Sequence, residues 1–147
     1  MPRWAEAADV HKRFHGGILT SEGLVDATDI DPRIEEAERY IEARLPFPKA
    51  DMDLWTTILL VPRIIRDLVA TLAAAYVIRD TQAAGDETKI GWLKTFERQV
   101  ERALDDIRSG NLKVYTPASA DITPTATVDA TYDADDREFT RENMKDL

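Results

Sequence analysis

Apolar residues recur at helical spacing in four stretches of this chain, each bounded by residues that start or stop a helix. Trp4, Ala7 or Ala8, Val10 or His11, and Phe14 predict a short first helix over residues 4–14, with Gly16 and Gly17 as its stop. Residues 18–31 are rich in turn formers and allow a single helical turn near Ser21 to Val25. Asp31-Pro32 predicts the next start: Asp accepts orphan N–H bonds as an N-cap, and proline at the first helical position loses no donor it would have used. From there to Leu45, Ile34, Ala37, Tyr40 or Ile41, and Leu45 form an apolar stripe opposite a polar face of Glu35, Glu38, Arg39 and Glu42, and Pro46 and Pro48 end the helix.

Period does not separate strand from helix in LWTTILLV, residues 54–61, because an eight-residue apolar run satisfies both. Pro62 then opens a long helix in which Ile65, Leu68 or Val69, Leu72, Ala75 or Tyr76, and Arg79 track one face. Its middle, LVATLAAAYV, is apolar almost all round, as in a helix buried on several sides, and its alanines permit close approach of neighbours. After Gly85-Asp86, Ile90, Leu93, Phe96, Val100, Ala103 or Leu104, and Ile107 carry a last helix to Arg108, with Ser109-Gly110-Asn111 as its stop. The pattern predicts an all-α fold: a small antiparallel bundle of about four helices over residues 1–115, followed by an extended acidic C-terminal arm over 116–147.

Composition narrows the chemistry. The 147 residues, 44% hydrophobic, suffice for one core of ordinary size. No apolar run approaches the roughly 18 residues of a membrane span, and MPRWAEAADVHK lacks the apolar core and small-residue cleavage site of a secretory signal, so the chain is expected to be cytoplasmic. Without cysteine there are no disulfides, thiol nucleophiles or thiolate metal sites. The net charge of -9 divides unevenly: residues 1–115 carry 20 acids and 16 bases, residues 116–147 carry 8 and 3. Such a balance argues against gripping phosphate backbones, which takes Lys and Arg, but not against DNA passing nearby.

Candidate chemistry is sparse. His11 and His15 stand four apart, but Lys12 follows the first where a zinc-protease motif needs Glu, and no third ligand is marked. Asp26, Asp29 and Asp31 lack the glycine and closing glutamate of a calcium loop, and capping explains them better. Arg63, Arg66 and Arg79 have no glycine-rich loop beside them, so pairing with surplus carboxylates, on neighbouring helices or another subunit, is the expectation. No nucleophile motif is present; we expect no catalysis, no cofactor and no metal.

The arm has its own pattern. In TATVDATY, residues 125–132, Ala126, Val128, Ala130 and Tyr132 alternate with Thr125, Thr127, Asp129 and Thr131, which is a strand's period. A lone strand must send its backbone hydrogen bonds to another sheet edge. The closing REFTRENMKDL restores bulk at Phe139, Met144 and Leu147. Val128, Tyr132, Phe139, Met144 and Leu147 are therefore the expected partner-binding residues, on a segment that folds on contact; a solubilising tail is the alternative.

Three blocks, IDPRIEEAERYIEARLPFPKA, VPRIIRDLVATLAAAYVIRD and ALDDIRSGNLKV, resemble the head-tail connector proteins of long-tailed bacteriophages over residues 4–115. The shared pattern is a helix ending before a proline, a proline-started alanine-rich central helix and a helix closed by Ile-x-x-Gly. The 46–61 loop is longer and more apolar than the family pattern, and the threonine-rich tail follows none of its motifs. The resemblance implies a structural virion protein at the head-tail interface: a ring of about twelve copies beneath the portal protein, joined below by a stopper or tail-terminator protein, with DNA passing through an acidic lumen. The arm would latch onto the portal or a neighbouring subunit. The composition also fits an acidic binding module of the antitoxin or anti-regulator kind, whose tail folds on a basic protein.

Overall fold

The computed structural model describes residues 2–13, 27–81 and 87–124. Among them are five helices: α1 (Ala7–His11), α2 (Ala27–Glu42), α3 (Lys49–Met52), α4 (Arg63–Thr81) and α5 (Glu87–Arg108). The fold is all-α, a small helical bundle. Helix α4 packs against both α2 and α5, and α1 packs against α2 and α4. Cross-helix ion pairs fix the directions. Arg33 pairs with Asp80, near the start of α2 and the end of α4, so these two run antiparallel. Arg44, just past α2, meets Glu101 of α5 at 2.8 Å, so α2 and α5 run the same way.

Helix α4 is the axis. Its residues 68–78 are all buried. Ala73, Ala74 and Ala75 have no exposed surface, so the neighbouring helices come close to the backbone there. The all-round apolar character of LVATLAAAYV is thus satisfied within the chain. Ile30, Ile34, Ala37 and Ile41 of α2, with Val100, Leu104 and Ile107 of α5, complete the core.

Several local expectations give way to packing. Helix α2 begins at Ala27, so Asp31 is not its N-cap and Pro32 lies inside it. Proline at that position forfeits one backbone hydrogen bond, but the extra turn buries Ile30 completely, a gain of about 1.5–3 kcal/mol. Helix α1 starts at Ala7, after Trp4, and the Asp9 carboxylate accepts the Glu6 N–H at 3.0 Å to close its first turn. The expected stops at Gly16-Gly17 and Gly85-Asp86, and the turn near Ser21 to Val25, lie outside the described residues.

Glu38, expected on the solvated face of α2, is 4% exposed. It is covered by the N-terminal segment: its Oε1 accepts the Arg3 N–H at 2.7 Å and the Trp4 N–H at 2.6 Å. Burial raises the Glu38 carboxyl above its ordinary value, and the Trp4 and Arg3 N–H groups only partly offset this. The Trp4 ring is fully buried and meets Trp55 edge-on at 5.3 Å; Phe47 meets Trp55 at 5.8 Å. One carboxylate and three aromatic rings therefore clasp the first residues onto the bundle.

At the other end, α5 stops before Gly110, which adopts φ 78. The chain then forms a small antiparallel turn. Tyr115 bridges Asp121, the Thr116 N–H donates to the Ala120 carbonyl at 2.8 Å, and the Ile122 N–H to Val114 at 2.9 Å. Val114 is fully buried and Ile122 packs on the core. The first residues of the expected docking arm, up to Pro124, thus fold back on the helical body. Residues 125–147 lie outside the described residues.

Candidate functional site

The run at 54–61 is neither strand nor helix but a series of turns. The Leu54 N–H donates to the Asp51 carbonyl at 3.2 Å, Trp55 to Met52 at 3.1 Å and Leu60 to Thr57 at 2.9 Å. Trp55 and Val61 are buried and pin the two ends of the loop. Between and beside these anchors, Leu54 is 69%, Leu59 77% and Leu60 49% exposed. One exposed leucine on a surface is ordinary; three within seven residues, two of them adjacent in the chain, are not.

Leu59 is also part of the wall of an open groove of about 790 Å³. Lys12 and Arg13 follow α1 on one side, and Arg63, Arg66 and Asp67 come from the first turns of α4. Ile58, Leu59 and Val61 come from the loop, and Tyr115, Thr116 and Pro117 from the C-terminal turn. Arg66 and Arg13 are committed. The Arg66 Nε and Nη2 each donate to the Asp9 carboxylate at 2.8 Å, and the Arg13 Nη2 donates to Asp67 at 2.9 Å. Burial alone would raise the Asp9 carboxyl, but the Arg66 guanidinium, the Glu6 N–H and Lys12 outweigh it and hold it below the ordinary carboxylate range.

Two cations remain open to solvent. Lys12 touches Asp9 only at 3.7 Å, with 75% of its side chain exposed. Arg63 is exposed and has no ion pair among the described residues. Helix α4 has no acid in its first turn, so Arg63 sits unneutralised beside the positive end of the helix dipole, where a cation is unfavourable. The groove thus holds four cations against Asp9 and Asp67, an excess of positive charge on a chain of net charge -9.

Of the other arginines singled out in the sequence, Arg79 pairs with Glu36 at 3.5 Å and Asp80 at 3.3 Å, and its guanidinium lies over Tyr76. It has a packing role remote from the groove. A similar cluster ties α2 to α5: the Tyr40 hydroxyl donates to Glu101 while Arg44 stacks on the Tyr40 ring. Burial and then Glu101 push the Tyr40 phenol up to about 12.

Among the described residues, no group of three or more His, Cys, Asp or Glu side chains could hold a metal, and no helix is long and apolar enough to cross a membrane. His15 and Asp26 lie outside them, as do Val128, Tyr132, Phe139, Met144 and Leu147. Sequence reasoning missed Lys12, Arg13, Leu59 and Tyr115 as groove residues. No family model matches the chain, and neither a curated protein nor a solved structure shows significant similarity to it.

Proposed function

We propose that this chain is a structural assembly subunit of the head-tail connector kind, building a ring beneath a phage portal and joining it to the next neck or tail protein. The observation that carries the reading is the leucine loop. Leu54, Leu59 and Leu60 stand in solvent on a loop whose ends are locked by Trp55 and Val61. A partner that covers them gains about 1.5–3 kcal/mol per side chain without first having to order the loop. Among the described residues the other large apolar side chains, Tyr115 apart, are buried or half-buried, those of α4 above all, so the loop stands out. The sequence resemblance supplies the kind of assembly, and the acidic balance suits a lumen that DNA crosses without adhering. The reading involves no catalytic step.

Under this proposal the arm latches onto the portal through 125–132 and the anchors Phe139, Met144 and Leu147. Because residues up to Pro124 belong to the body, a deletion that tests the latch begins at Thr125. The experiment is to add purified full-length protein to portal-bearing particles that lack it and to measure the bound mass and image the vertex. A closed ring of many copies is expected, with loss of attachment for the chain ending at Pro124. Absence of binding, or a one-to-one or dimeric complex with a basic protein instead, would overturn the reading in favour of the acidic binding module.

A further inference from the structure

We propose that the basic groove is a docking site for this chain's own acidic C-terminal segment, and that Tyr132–Asp136 folds back in cis to occupy it. The inference does not depend on which partner the arm meets in an assembly. Three observations carry it: the charge of the groove, the composition of the segment, and the point where the body ends.

The groove concentrates positive charge on an acidic protein. Lys12 and Arg63 are exposed: Lys12 meets only Asp9, at 3.7 Å, a carboxylate already held by both donors of Arg66, and Arg63 has no ion pair among the described residues. Beside them lie apolar walls from Ile58, Leu59 and Pro117, and the ring of Tyr115, which is 49% exposed. A fitting ligand is therefore acidic, extended and carries an aromatic or small apolar side chain, and the groove's size lies in the range of ordinary ligand clefts.

The segment matches on each count. Residues 125–136, TATVDATYDADD, carry four acids and no base, and YDADD places Tyr132 directly before Asp133, Asp135 and Asp136. Beyond it, Arg137, Arg141 and Lys145 break the acidic run, so the charge match is confined to the stretch ending at Asp136. Exposed charge pairs contribute modestly one by one, but a tethered ligand needs little affinity because its effective concentration is in the millimolar range.

The geometry allows the return. The Thr123 hydroxyl accepts the Val114 N–H at 2.9 Å, which fixes the end of the body one residue from Tyr115 on the groove wall. From Thr123 to Asp133 is ten residues, a reach of roughly 33 Å when extended. Such a reach leaves slack for the chain to turn back and lay YDADD along Lys12 and Arg63. The groove then holds the arm against the body until a competing partner takes it.

The chain has no cysteine, so Ala134→Cys gives a single attachment point for a nitroxide in the full-length protein. Paramagnetic broadening of backbone amides then reports where the segment spends its time. The expected result is selective loss of signal at 12–13, 58–61, 63 and 115–116, unchanged on dilution and absent when spin-labelled unenriched protein is mixed with unlabelled ¹⁵N protein. Lys12→Glu with Arg63→Glu, both at exposed positions, should lower the closed-to-open ratio about tenfold or more, equivalent to ~1.4 kcal/mol, with the thermal midpoint of the body retained. High salt should act in the same direction. Broadening spread evenly over the surface, broadening insensitive to the charge reversal, or broadening that appears in the mixed sample, which marks exchange between copies, would each overturn the proposal.

Discussion

Replacing Glu38 tests the clasp that closes the N-terminus onto the bundle. In the native protein one buried carboxylate oxygen accepts two backbone N–H groups, from Arg3 and Trp4, at 2.7 and 2.6 Å. Glu38→Ala leaves both donors without their acceptor, and each buried unsatisfied donor costs about 1–3 kcal/mol. Removing the charge returns part of this, because the carboxylate itself is desolvated. Peeling the segment away to hydrate the donors is no escape, since it would expose the fully buried Trp4 ring, at about 3–5 kcal/mol. The net loss for Glu38→Ala is therefore about 2–4 kcal/mol. Glu38→Gln keeps an acceptor oxygen, loses charge assistance and escapes the ionic desolvation, so it should lie within about 1 kcal/mol of the parent. Urea unfolding followed by tryptophan fluorescence gives both values from the midpoint shift at unchanged slope. The two variants also separate with pH. The folded protein holds the Glu38 proton more tightly than the unfolded chain, so lowering the pH toward the unfolded value stabilises the parent relative to Glu38→Gln. A loss under 0.5 kcal/mol for Glu38→Ala, about the noise of a surface change, would refute the clasp.

Asp9→Asn breaks the paired hydrogen bonds with Arg66 and should cost about 1–3 kcal/mol at neutral pH. Because the folded Asp9 carboxyl is held below its ordinary value of 3.8, that contribution is complete above this value and fades as the pH falls through the lowered folded one, so the gap between parent and variant closes in strong acid. Ala74→Leu, at a position with no exposed surface on α4, should destabilise by about 1–3 kcal/mol through overpacking, read from the thermal midpoint. In the chain ending at Pro124, which lacks the acidic segment, Arg63→Gln relieves an unfavourable cation at the start of α4 and should stabilise by about 0.3–1 kcal/mol in low salt, measured by urea unfolding; a destabilisation there would mean that Arg63 has a partner within the body.

The bundle was legible in the sequence because its signals are local and agree with one another. Pro62 opens a helix whose apolar residues run on almost without interruption, and Val100, Leu104 and Ile107 keep a helical period to the end of α5. Where a local rule competed with burial, burial won. Asp31-Pro32 has the form of a helix start, but the packing of Ile30 draws α2 back to Ala27. Glu38 has the spacing of a solvated residue on α2, and only the return of Arg3 and Trp4, more than thirty positions earlier, removes it from water. No period within α2 carries that information. The leucine run was visible, but its conformation was not: anchors at Trp55 and Val61 satisfy the core, and the turns beside and between them leave Leu54, Leu59 and Leu60 outside. The groove was legible only in Arg63 and Arg66, since it joins residues near positions 12, 60 and 116 that no motif links.

The proposed contact surface, the leucine loop, stands on a fold that does not need it. The most direct measurement pairs the thermal midpoint of the double variant Leu59→Asp, Leu60→Asp with its binding to portal-bearing particles. A midpoint within the range of surface substitutions is expected, because both side chains already stand in solvent, together with loss of binding. A variant that binds as the parent does, or one that unfolds because the leucines were holding the body together, would contradict it.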